Sequence, residues 1–116
     1  MRDYKLYLED IMEAITKIRK YVNKKSFGQF SKDEKTIDAV IRNFEIMGEA
    51  VKQLPNKVKD KYSDVEWKAI IDFRNVIIHE YFGIDLEIMW DVIKTKLEPL
   101  EKKIKFILKN NSVAQK

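Results

Sequence analysis

Ile37-Asp38-Ala39-Val40-Ile41-Arg42-Asn43-Phe44-Glu45-Ile46-Met47-Gly48-Glu49-Ala50-Val51 is the stretch on which the fold turns. Ile37, Ile41, Phe44, Gly48 and Val51 recur at alternating spacings of four and three, which gathers them on one face of an α-helix. A glycine inside that stripe costs about 1 kcal/mol of helix propensity relative to alanine. In exchange its missing Cβ lets a neighbouring helix approach closely. Upstream, Ser31 followed by Glu34 has the form of a capping box. Downstream, Pro55 cannot continue a helix, so the spacing predicts a helix over about residues 32 to 54.

Working outward, Tyr4, Leu8, Ile11, Ile15, Ile18 and Val22 form the same kind of stripe and predict a first helix over about residues 3 to 24. The turn residues between Lys25 and Phe30 separate the two. Residues 55 to 62 are polar and rich in lysine, and Ser63 with Glu66 repeats the capping-box form ahead of a third helix starting near residue 64. Its stripe reads Trp67, Ile70, Ile71, Ile77, Ile78 and Tyr81, with Arg74 at a position where the pattern expects an apolar side chain. Gly83 is placed as a left-handed C-terminal cap. Asp85 is placed as the N-cap of a fourth helix carrying Leu86, Met89, Val92, Ile93, Leu97, Leu100, Ile104 and Ile107, with a kink or break expected just before Pro99. These readings describe an all-α, up-down four-helix bundle over residues 1–110 and a flexible tail over 111–116.

Bulk composition narrows the function. A chain of 116 residues with 45% hydrophobic content supports one core rather than two. It has no cysteine and one histidine, which removes disulfides, thiolate sites and thiol nucleophiles and leaves neither metal nor cofactor expected. No apolar run reaches the ~18 residues of a membrane span and the N-terminus lacks a signal-peptide block, so the expected location is the cytoplasm. A net charge of +4 suits a polyanionic partner, although 36% charged residues of both signs also describe an ordinary solvated helical surface. The lysines at 102, 103, 105 and 109 read as such a face, and Trp67, Phe73, Phe82 and Trp90 as core or dimer contacts rather than base-stacking platforms.

The chemistry concentrates in Asp72-Phe73-Arg74-Asn75-Val76-Ile77-Ile78-His79-Glu80-Tyr81-Phe82-Gly83. Metal-free cleavage of RNA needs a base for the ribose 2′-OH, an acid for the leaving 5′-oxygen and a cation for the charged phosphorane. An ordinary imidazole can serve as base or acid near neutral pH, which makes His79 the candidate, and Arg74 offers a planar fork matched to phosphate oxygens. A scheme with two histidines then requires two chains, which argues for a symmetric dimer. The residues alone leave another reading open. On an ideal helix Arg74 and His79 stand roughly 140° apart, whereas Asn75 and His79 share a face. A structural histidine, with Arg74 paired to a carboxylate such as Glu49 or Asp72, fits the same pattern.

The segment Arg74 to Tyr81 resembles the Arg-x4-His-x-Tyr form of the HEPN ribonuclease motif found in HepT toxins. Ile41 to Ala50, closing at Leu54-Pro55, is similar to the Gly-Glu-Ala helix of that family, and Trp67 and the run from Phe82 to Trp90 fit its layout. The resemblance covers about residues 3 to 108. It implies a HEPN-like helical homodimer that cleaves RNA without metal, with Arg74 and His79 as catalytic residues and Asn75, Tyr81 and Glu49 in support. It further implies a nucleotidyltransferase antitoxin of the MntA kind that silences the toxin by transferring AMP to Tyr81. For Glu49, orientation of Arg74 and a plain packing role both remain open. The alternative to the ribonuclease is a catalytically idle helical partner that binds and regulates the nucleotidyltransferase.

Overall fold

Aliphatic side chains at helical spacing dictate the two longest neighbouring elements. In a computed structural model, the backbone is described for residues 3–79 and 83–114 and the side chains for 3–78 and 83–110. The first helix, α1 (Tyr4–Val22), buries Leu8, Ile11, Ile15, Ile18 and Val22 of the expected stripe, together with Ala14. It begins at Asp3, whose carboxylate accepts from the Lys5 amide at 3.0 Å. The expected second helix is α3 (Glu34–Gln53), and it buries Val40, Ile41, Phe44, Met47, Gly48, Ala50 and Val51. Its one buried polar side chain, Asn43, is satisfied by donating to the Ala39 carbonyl at 2.9 Å.

Two expectations at these termini are corrected. The Ser31/Glu34 capping box does not form: Ser31 Oγ donates to the Gly28 carbonyl instead, and Asp33 caps α3 by accepting from the Thr36 amide. The reciprocal box lies earlier, where Ser26 and Gln29 each bond the other's backbone N–H and start a short helix, α2 (Phe27–Ser31), inside the expected turn. Past Leu54, Pro55 ends α3 as expected and also precedes a further short helix, α4 (Asn56–Lys61). A proline without an N–H suits that position because the first amides of a helix lack intrahelical partners.

The third expected helix is α5 (Trp67–His79). It starts later than the spacing suggested, so Ser63 lies in the preceding turn rather than at the cap. That turn is fixed by Trp67, whose buried indole N–H donates to the Tyr62 carbonyl at 3.0 Å. No described glycine has a positive φ, so Gly83 does not supply the expected left-handed cap. Asp85 does cap the next helix, α6 (Leu86–Thr95), by accepting from the amides of Glu87 and Ile88. Of the expected kink or break before Pro99, the structure has the break, at Lys96, after which α7 (Leu97–Ala114) begins with Pro99 in its first turn, where its missing N–H breaks no helical bond. The α7 backbone runs past residue 110 to Ala114.

The expectation of four helices thus becomes seven among the described residues, all α, arranged as a helical bundle. α1 packs between α3 and α7, α3 packs between α1 and α5, and α2 bridges α3 and α6. Trp90 of α6 lies against Phe27 and Phe30 of α2, with the Lys94 ammonium 4.8 Å from its ring. Phe44 and Phe73 meet edge to face at 5.0 Å between α3 and α5. With Trp67 buried as well, three of the four expected core aromatics are packed against protein, and Phe82 lies outside the described residues. On α7, Lys102 and Lys105 pair with Glu98 and Glu101, and Lys103 donates to the Asp64 carbonyl. Among the described residues no helix is long and apolar enough to cross a membrane.

Candidate active site

The meeting of α3 and α5 depends on Gly48. A Cβ there would overlap Cβ and Cγ of Arg74 and stand 3.3 Å from its Cδ. The close approach expected of this glycine is therefore to the stem of the one arginine in the α5 stripe. With its stem against Gly48, the guanidinium extends beyond the core, and the side chain as a whole is 24% exposed.

The next residue of α3 takes the head group. Arg74 donates through one terminal nitrogen to Glu49 Oε2 at 3.1 Å and through the other to Asn75 Oδ1 at 3.2 Å. Of the two carboxylates weighed as partners, Glu49 is the one engaged, while Asp72 pairs with Lys68 at 3.0 Å. Glu49 is fixed in turn by Gln53, which donates to its other oxygen at 3.3 Å. The Arg74 Nε–H is buried and has no hydrogen-bond partner among the described residues. A guanidinium carries five N–H donors. With one bond from each terminal nitrogen and Nε buried, one donor on each terminal nitrogen has no acceptor among the described residues and is placed for a ligand that accepts end-on.

Arg74, Glu49 and Gln53 border an open cleft of about 360 Å³, which is also lined by Tyr7 and Asp10 of α1 and by Arg42 and Glu45 of α3. Sequence reasoning missed Tyr7, Asp10, Arg42, Glu45 and Gln53. A signal was present: Arg42, Glu45, Glu49 and Gln53 recur at spacings of three, four and four, a polar stripe beside the apolar one on α3. Among the described residues no group of three or more His, Asp or Glu side chains is placed to hold a metal ion.

The structure thus brings together Arg74, Asn75 and Glu49. His79 closes α5 five residues after Arg74, but its side chain lies outside the described residues, as does all of Tyr81. A family model described as Ribonuclease HepT-like matches residues 11–107, a span containing every one of these positions. The chain belongs to the HepT-like ribonuclease family. Relatives match over nearly the whole chain. A protein of Methanocaldococcus jannaschii, named provisionally as an RNase, is 42% identical over 109 residues, covering 94% of this chain and 90% of its own. Another provisionally named RNase, from Caldanaerobacter subterraneus subsp. tengcongensis, is 41% identical over 93% of this chain and 96% of its own. A protein of Thermococcus cleftensis named "Probable ribonuclease HepT" is 39% identical over 93% of this chain and 98% of its own. No solved structure matches.

Proposed function

We propose that this HepT-like chain is a metal-independent endoribonuclease toxin in which Arg74 and His79 carry the chemistry. The observation that supports it most directly is the state of Arg74: a guanidinium braced by Glu49 and Asn75, five residues ahead of the chain's one histidine, with donors left over for a phosphate. In the reaction an imidazole takes the proton of the ribose 2′-OH, whose oxygen attacks phosphorus. Arg74 stabilises charge on the phosphorane, and the bond to the 5′-oxygen breaks as that oxygen is protonated. The products are a 2′,3′-cyclic phosphate and a 5′-hydroxyl end.

Base and acid must be held together, and each chain carries one imidazole. A symmetric dimer joining two copies of the α5 terminus supplies two. Exposed Val76 and Ile78, on the helix that carries Arg74, favour such pairing because an isolated chain gains nothing by leaving them in water. Silencing follows from Tyr81 in the same motif. A nucleotidyltransferase antitoxin would join the Tyr81 phenol oxygen to the α-phosphorus of ATP and release pyrophosphate. The added phosphate and nucleoside then compete with RNA for Arg74.

The test is cleavage of a labelled RNA in EDTA. Wild type is expected to cut, and Arg74→Ala and His79→Ala to fall by about 10²-fold or more while remaining folded by circular dichroism. Full activity in either variant would falsify the site. Intact mass after incubation with the cognate nucleotidyltransferase and ATP should show AMP on wild type and none on Tyr81→Phe.

A further inference from the structure

We infer that the cleft among α1, α3 and α5 holds a second phosphodiester of the RNA strand, bound by Arg42 beside the one bound by Arg74. This rests on the ribonuclease reading for the identity of the strand, but not for the geometry. Both arginines line one cleft, entering from different helices. Their surroundings differ in the way that distinguishes a braced group from an available one. Arg74 is mostly covered and makes bonds of 3.1 and 3.2 Å. Arg42 is 71% exposed, and its ion pair with Glu45 spans 3.8 Å. Such a long, solvated pair within one helix contributes little, so the fold does not require the Arg42 guanidinium to stay there.

Distance along α3 suits a strand rather than a single anion. Arg42 stands seven residues before Glu49, the brace of Arg74, which is about 10 Å along a helix axis. A chain of phosphates can follow such a groove, with a nucleotide between two cationic points. The carboxylates sharpen the inference. Asp10, Glu45 and Glu49 also line the cleft, so its two arginines are outnumbered in formal charge and it is no general sink for anions. Glu49 faces Arg74 through a nitrogen that keeps another donor, and it need not move. Glu45 instead occupies Arg42 directly, so a phosphodiester must displace it.

That competition gives the experiment a sign that a structural role for these residues would not produce. The measurement is fluorescence anisotropy of a labelled single-stranded RNA oligonucleotide bound to the full chain carrying His79→Ala, across a range of salt. Relative to that parent, Arg42→Gln should weaken binding several-fold and lower the salt slope by about 0.7, the contribution of one single-strand phosphate. Arg42→Lys should restore the slope. Glu45→Gln should tighten binding, whereas a merely structural Glu45 would weaken it or leave it unchanged.

An unaltered salt slope in Arg42→Gln, or weaker or unchanged binding in Glu45→Gln, would overturn the second site, as would a parent that binds no RNA. Cleavage by the chain with intact His79 is read separately. If RNA is cut but Arg42→Gln keeps its slope, only this inference fails. If the slope falls but no RNA is cut, the cleft stands and the ribonuclease reading fails.

Discussion

Gly48 and Arg74 illustrate how one missing methyl group positions a charge. The Arg74 stem occupies the volume a side chain would need at residue 48, so Gly48→Ala must shift either the arginine or the two helices. Overpacking of this kind costs about 1–3 kcal/mol, and here the strain falls on the group that must meet phosphate. Gly48→Ala is expected to lower the denaturant midpoint and to cut RNA cleavage by more than its stability loss accounts for, read at a temperature where both proteins are fully folded. Glu49 offers a complementary test. Glu49→Gln keeps an oxygen that can accept from Arg74, whereas Glu49→Ala leaves Asn75 alone to hold the guanidinium. Cleavage should therefore fall further in the alanine variant than in the glutamine one, and equal losses would point to the charge rather than the orientation. The glycine was legible in the sequence because it interrupts an apolar stripe. The pairing across 25 residues was legible only as a choice between two carboxylates, since periodicity says which residues share a face and not which helices meet.

At the scale of elements, helix starts were the least legible part of the fold. Ser31-x-x-Glu34 and Ser26-x-x-Gln29 both have the capping-box form, and local sequence does not say which wins. The earlier box forms because it places Phe30 in the core, fully buried against Trp90. Asp33 is then free to cap α3. The Thr36 hydroxyl and amide, with a smaller contribution from Lys25, hold the Asp33 carboxyl below its ordinary value. Because the folded-state value is the depressed one, the stabilisation is complete above the ordinary carboxylate range. It is lost as pH falls through the lowered value. Asp33→Asn should retain much of the cap, since asparagine is an equally good N-cap, while flattening the acid limb of a stability-against-pH curve measured by thermal melts. An acid limb identical to wild type would remove this carboxylate from the account. The short helix α4 escaped notice for a different reason: its six residues carry too few apolar positions to reveal a period.

Taken whole, the molecule is a bundle in which, among the described residues, α5 is covered chiefly from one side. α5 packs on α3, and between α5 and the α6–α7 break lies an apolar groove of about 510 Å³ lined by Ile70, Phe73, Val92, Leu97 and Leu100. Val76 and Ile78 remain 49% and 38% exposed on the same helix. If the dimer forms through this helix, Val76→Asp should shift the sedimentation coefficient from dimer to monomer without unfolding the chain, because a charge at an exposed position disturbs no core. RNA cleavage should be lost with the dimer if each site needs an imidazole from both copies. A fully active monomer would return the acid and base roles to a single chain. The apolar stripes made the all-α class legible from the start. The open side of α5 was not, because a stripe that faces a partner and one that faces the core read alike.

The tryptophans give the fold two built-in optical reporters. Trp67, buried and hydrogen-bonded to Tyr62, senses the entry into the helix that carries Arg74. Trp90 is half-buried under Phe27 and Phe30, where the short α2 joins α3 to α6. Detachment of α2 alone would expose the second indole to water and leave the first untouched, a red shift in emission from one fluorophore of two. Single replacement of either tryptophan by phenylalanine would separate the signals, so that loosening of the α2 corner and disturbance of the Arg74 helix can be followed as different events in the same chain.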